Sequence, residues 1–108
     1  MARIEKGNRV LTLINVFSVE PAKQQQLVAL LVEATQQVMQ HLPGFVSANI
    51  HRSLDGGKVV NYAQWSDRTA FDAMRLDPRA ASHMQAAAAL ATFEPILCEV
   101  SDAIDAAR

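Results

Sequence analysis

The hydrophobic and polar positions fall into alternating stretches and helical stretches. Val59 to Trp65 alternates with period two, which predicts a strand. Asn61, Ala63 and Trp65 then share one face, and Val60, Tyr62 and Gln64 share the other. Val10 to Phe17 is also a predicted strand, broken only by Thr12 and Asn15. Val10, Ile14 and Val16 lie on one of its faces, and Leu11, Leu13 and Phe17 on the other. A strand that is apolar on both faces belongs in the middle of a covered sheet.

Between these strands the period changes. Ser18-Val19-Glu20-Pro21 opens a helix, with Pro21 at a position where its missing N–H costs nothing. Leu27, Leu31, Ala34 and Val38 then form a single stripe, and the pattern runs to His41 before Pro43-Gly44 ends it. His41 suits the negative end of this helix. Phe45 to Leu54 predicts a second strand. Phe45, Ser47, Asn49, His51 and Ser53 lie on one face, with Val46, Ala48, Ile50 and Leu54 on the other. Asp55-Gly56-Gly57 predicts a hairpin into Val59–Trp65. Ser66 or Asp67 caps a second helix whose inner face carries Ala70, Phe71 and Met74. Asp77-Pro78 interrupts that helix. It resumes as an alanine-rich segment from Ala80 to Ala91, stopped by Glu94-Pro95, and Ile96, Cys98 and Val100 alternate on a last strand. Residues 1–9 read as an N-terminal extension, 10–103 as one domain and 104–108 as a tail.

The order β-α-β-β-α-β predicts an α+β, ferredoxin-like protomer with a four-stranded antiparallel sheet. Right-handed crossovers place both helices on one face and make strands one and three the central neighbours. The other face of the first strand still needs a cover. A second copy of the same sheet is the simplest one, so a homodimer through the sheet face is expected.

Composition narrows the function classes. A net charge of −1 offers no general attraction to nucleic acid or to acidic membranes. No apolar run is long enough for a transmembrane helix. The polar first nine residues lack the core of a signal peptide. The one cysteine, Cys98, forms no internal disulfide and reads as a small core residue, so a cytoplasmic setting is expected. The three histidines have no partners at metal-binding spacing, so no metal is expected.

What stands out chemically is the pair Asn61 and Trp65 on one strand face, with Asn15 on the neighbouring strand. A buried amide costs about 1–3 kcal/mol unless it is paired. Asn15 and Asn61 therefore either bond to each other across the sheet or line a pocket.

Pro43-Gly44-Phe45, Ser53-Leu54-Asp55-Gly56, Asn61-Tyr62-x-x-Trp65-Ser66 and Phe71, in this order and spacing, resemble the antibiotic biosynthesis monooxygenase (ABM) domain family. The resemblance spans Val10 to Val100. It implies the dimeric α+β barrel, in which two ferredoxin-like protomers pair sheet to sheet. Within the family the chain is most similar to anthrone oxygenases, which oxidise a phenolic polycyclic substrate to a quinone with O2 and no metal or flavin. The resemblance implies Asn15, Asn61 and Trp65 as catalytic residues. It also implies a substrate pocket between sheet and helices that involves His51, Phe17, Phe71, Met74 and His83, with His51 a candidate proton acceptor. Phe71 departs from members that carry a tyrosine there. Two other readings remain open. One is a haem-degrading relative, for which His83 lies near the expected ligand position but Met74 stands where a tryptophan is usual. The other is a non-catalytic, ligand-binding dimer.

Overall fold

The computed structural model describes residues 2–7 and 9–107; Met1, Asn8 and Arg108, which belong to the expected extension and tail, lie outside the described residues. The elements are β1 (Leu11–Val19), α1 (Gln24–Gln37), β2 (Phe45–Arg52), β3 (Lys58–Trp65), α2 (Arg68–Leu76), α3 (Pro78–Ala88) and β4 (Ala91–Cys98). The sheet order is β2-β3-β1-β4 and every neighbouring pair is antiparallel. This is the α+β ferredoxin-like arrangement, with β1 and β3 at its centre.

Local chemistry explains most of the element ends. A 3-10 turn at Pro21–Lys23 leads into α1, which buries Leu27, Leu31 and Ala34, with Val38 just beyond its end. His41 Nε2 donates to the Gln36 carbonyl at 2.9 Å and so satisfies a helix-end acceptor. Asp67, rather than Ser66, caps α2 by accepting from the Ala70 N–H at 2.8 Å. Asp77 ends α2 and caps α3 by accepting from the Arg79 N–H at 2.8 Å. The Arg79 side chain beside it holds the Asp77 carboxyl below the usual carboxylate range.

Two sequence expectations fail at strand ends. The alanine-rich helix stops at Ala88, and β4 starts at Ala91, so Glu94 and Pro95 lie within the strand instead of ending a helix. Because β4 is an edge strand paired only with β1, Pro95 is accommodated without losing a bond on the outer side. In β2 the pairing slips between Phe45 and Ser47. Phe45 pairs with Trp65 and Ser47 with Gln64, which makes Val46 the extra residue of a bulge. Phe45 therefore shares the face of Ala48 and Ile50, not that of Asn49 and His51.

The helix-facing side of the sheet is organised in cross-strand rows. One row pairs Phe17 with Val59 and Phe93; the next pairs Asn15 with Asn61 and Pro95; the next pairs Leu13 with Ala63. Phe17 and Val59 belong to one buried cluster with Leu27, Leu31 and Ala87. Leu13, Ala63, Trp65 and Phe71 form a second. The asparagine row therefore falls between two halves of the core.

The chain covers part of its other sheet face itself. Thr12, Ser47 and Gln64 are buried there. The Ser47 hydroxyl donates to Gln64 Oε1 at 3.0 Å, and Gln64 Nε2 donates to the Arg3 carbonyl at 2.7 Å. The N-terminal segment is thus held against this end of the sheet, and Lys6 ties it to Asp102, just beyond β4, at 3.2 Å. Farther along, Ile14, Val16, Val60 and Tyr62 are only half-buried and Ile96 is exposed.

Gly44 locks the start of β2 against the end of β3. Its φ is +82°, and its carbonyl accepts from the Ser66 N–H at 2.7 Å. A Cβ there would meet the Ala70 methyl and come within 2.6 Å of the Ser66 hydroxyl oxygen. Gly44→Ala is expected to destabilise the fold by about 1–3 kcal/mol, from positive φ and crowding together. A thermal melt checks this, and an unchanged midpoint would show that the turn is not strained.

Candidate active site

A cavity of about 540 Å³ opens between the sheet and the three helices, within the roughly 300–1,000 Å³ range typical of small-molecule sites. Its floor is the helix-facing side of β1 and β3: Leu13, Asn15, Phe17, Asn61, Ala63 and Trp65. Its walls and roof include Leu31, Thr35 and Met39 from the α1 side, Phe71, Met74 and Arg75 from α2, and Met84 and Gln85 from α3. The space exists because much of the lining is small. Ala34, Ala48, Ala63, Ala80, Ala81 and Ala88 all contribute to it. An alanine-rich helix keeps its backbone geometry while leaving volume that larger side chains would occupy.

Asn15 and Asn61 stand directly opposite each other in the central strand pair, yet they do not bond to each other. Among the described residues neither side-chain amide has a hydrogen-bond partner, and both carbonyl oxygens are buried without one. Both residues line the cavity. Two unpaired amides on one buried row lower the stability of the fold. They also place donors, already oriented, at one point of an apolar chamber.

Trp65 closes one end of the floor. It is 2% exposed and packs edge-on against Phe45, with ring centroids 5.4 Å apart. Its indole N–H has no partner among the described residues. At the other end Phe17 and Phe93 pack with centroids 5.3 Å apart. A flat ring system therefore meets aromatic surface at both ends of the cavity and amide donors between them.

Of the residues expected from sequence, the structure brings together Asn15, Asn61, Trp65, Phe17, Phe71 and Met74. It leaves two out. His51 pairs with Val60 and so faces the opposite side of the sheet, where it is exposed and its Nδ1 donates to the Asn49 carbonyl at 3.1 Å. His83 does not line the cavity; its Nδ1 donates to the Arg79 carbonyl at 3.0 Å. Cys98 is half-buried at the end of β4, not a core residue. No Asp, Glu, His, Lys, Tyr or Cys lines the cavity among the described residues, and no cluster suited to a metal ion is found among them. Sequence reasoning missed Phe45, Thr35, Met39 and Arg75. Phe45 was hidden by the bulge. Arg75 was within reach, because it lies four residues after Phe71 and so shares its side of α2.

Asn15→Leu and Asn61→Leu are each expected to raise stability, by about 1 kcal/mol, because an unpaired buried amide gives way to an apolar side chain of similar size. Urea melts of the two variants test this. A lower midpoint in both would mean that the amides are bonded in solution.

Known proteins share this fold. The antibiotic biosynthesis monooxygenase family model matches residues 10–90. Tetracenomycin-F1 monooxygenase of Streptomyces glaucescens is 44% identical over 106 residues, covering 98% of this chain and 95% of that one. The crystal structure of a monooxygenase from the gene ActVA-Orf6 of Streptomyces coelicolor, in complex with nanaomycin D, superposes with a TM-score of 0.83 at 31% identity and covers 98% and 100% of the two chains. SnoaB, a cofactor-independent oxygenase from Streptomyces nogalater, superposes with a TM-score of 0.75 at 28% identity in an alanine-for-asparagine variant, covering 89% of this chain and 97% of its own. With the fold, the cavity and these relatives in agreement, the chain belongs to the antibiotic biosynthesis monooxygenase family and is an enzyme of the oxygenase class.

Proposed function

We propose that this enzyme oxidises a phenolic, polycyclic substrate of anthrone or quinol type to a quinone, using O2 directly and no bound cofactor. The observation that carries the reading is the row of two unpaired asparagine amides on the floor of an apolar, aromatic-ended cavity. The relatives support it: one is a tetracenomycin-F1 monooxygenase, one holds nanaomycin D, and one is a cofactor-independent oxygenase.

The chemistry follows from the spin state of O2. Triplet oxygen reacts slowly with closed-shell molecules, but an electron-rich enolate can pass it one electron. In an anthrone the methylene between two rings loses a proton, and the carbonyl oxygen opposite becomes an enolate. The NH2 groups of Asn15 and Asn61 donate to that oxygen and stabilise the charge as it develops. One electron moves to O2, and the carbon radical and superoxide combine into a carbon-bound peroxide, which takes up a proton. Loss of the second C–H proton, with cleavage of the O–O bond, leaves the new carbonyl and releases water. The balance is CH2 plus O2 to C=O plus H2O. Trp65 stacks against the ring system or donates its indole N–H to it, and Phe17, Phe71 and Met74 hold the rings and keep water out.

Because no side chain of ordinary basicity lines the cavity, the substrate's own acidity has to carry the deprotonation, with the amides lowering the energy of the anion. His51, on the far face, has no part in that step. The half-exposed stretch of the far face, with Ile14, Val16, Val60, Tyr62 and Ile96, is covered in this reading by a second copy of the chain. No helix among the described residues is long and apolar enough to cross a membrane, and a cytoplasmic setting suits a lone half-buried thiol.

Two measurements test the reading. With dithranol in air, O2 uptake by the wild type is expected to fall by about 10²–10³ in Asn61→Ala, the cost of losing an oxyanion donor, to fall also in Trp65→Phe, and to stay within about twofold in His51→Ala, since a side chain outside the cavity supplies no general-base factor. Equal activity in Asn61→Ala and wild type would refute the assignment of the amides. Sedimentation at micromolar concentration is expected to give a dimer, and a stable monomer would sink the sheet-to-sheet pairing.

A further inference from the structure

The cavity has one charged lining residue among those described, Arg75, whose exposed guanidinium stacks on Phe71 and makes one long ion pair with Asp72 but no hydrogen bond. Arg75 sits in the last turn of α2, over the Phe71 ring with its guanidinium carbon 5.8 Å from the centroid. The nearest carboxylate, Asp72, is 3.9 Å away, beyond hydrogen-bond distance, and the same oxygen already accepts from Arg68 Nε at 3.1 Å. Arg75 makes no hydrogen bond to any described residue. Other arginines of the chain are engaged: Arg52 donates to Gln25, Arg68 to Asp72, and Arg79 to Asp77. A position near the helix C-terminus explains why a cation is tolerated there. Its place four residues after Phe71 sets the planar five-donor fork over an aromatic ring that itself lines the cavity.

We propose that Arg75 is a specificity-determining residue that binds an ionised oxygen on the substrate, a ring carboxylate or a phenolate, at the mouth of the cavity. This deepens the reading of the cavity as an oxygenase site and rests on it. The sheet floor and Arg75 then divide the recognition. Asn15 and Asn61 meet the oxygen that acquires charge during the reaction, while Arg75 meets one that is already charged when the substrate arrives. Guanidinium suits the second role because it stays protonated and pairs with two oxygens in one plane. Its stacking on Phe71 sets the orientation of that plane. The anion also orients a nearly symmetrical ring system, since one of its ends alone can reach the cation. The reacting carbon is thereby presented to the amides instead of its counterpart at the other end.

The test reads binding separately from turnover. Trp65 is the only tryptophan of the chain and lines the cavity, so quenching of its fluorescence by a quinone reports occupancy directly. Two quinones with the same phenols are titrated, rhein, which carries a ring carboxylate, and chrysophanol, which carries a methyl group in its place. Chrysophanol is titrated below and above its phenol ionisation. Arg75→Gln is expected to weaken rhein about five- to tenfold, a partly exposed charge-assisted contact. Un-ionised chrysophanol is expected to change by less than twofold, and Arg75→Lys to recover part of the loss. Selective loss with rhein assigns the contact to a carboxylate. Selective loss only with ionised chrysophanol assigns it to a phenolate. Equal weakening of neutral and ionised ligands, or no weakening at all, overturns the proposal. The outcome also separates from that of the oxygenase reading. Selective anion binding without O2 uptake from any anthrone refutes the oxygenase reading and leaves Arg75 as an anion contact, whereas intact O2 uptake with an unselective Arg75→Gln refutes the Arg75 assignment alone.

Discussion

Two amides facing each other across the central strand pair, without a bond between them, set the terms for the rest of this molecule. Asn15 and Asn61 fall on a row where an apolar pair would have joined the Phe17 row to the Leu13 row in one continuous core. Instead the core is split in two, and the cavity opens where the halves fail to meet. A buried polar row that is not internally satisfied works against the fold. It persists because the two flanking clusters and the β1–β3 register hold it in place from both sides.

The helices follow the same logic. α1 is a conventional packing helix, with one stripe from Leu27 to Ala34 continued by Val38. α3 is not: its alanines span the cavity without filling it, and Met84 and Gln85 are the larger side chains that it lends to the roof. At the Asp77-Pro78 break one residue serves both helices: the Asp77 backbone N–H closes the end of α2 and its carboxylate caps α3. The result is a roof in two pieces over a rigid floor. This is the usual division in enzymes, where a strand scaffold fixes the reacting groups and the helices set size and access.

Much of this was legible in the chain. The period-two pattern of Val59–Trp65 put Asn61, Ala63 and Trp65 on one face, and the structure agrees. The period of α1 named its buried residues one by one. The element order was enough to place β1 beside β3, and so Asn15 near Asn61. Other features were not legible, each for a physical reason. A bulge is a one-residue slip that leaves composition unchanged, so strict alternation puts Phe45 on the wrong face. Proline ends a helix or tolerates a sheet edge depending on what lies beside it, and Pro95 has no outer neighbour. Resemblance draws His51 toward the site, although its own alternation with Ser47 and Asn49 places it on the polar side.

Local periodicity and residue chemistry were therefore enough to determine the elements, their order, the two-faced central strand and the presence of two amides that needed an explanation. Only the tertiary structure decided that those amides do not pair. It also decided that the N-terminal segment covers one end of the far face, and that Arg75 rather than a histidine brings charge to the cavity. The reason is one of range. Periodicity reports which way a side chain points along its own element, whereas a partner, a cavity or an unused donor depends on what another element, dozens of residues away, brings to the same place.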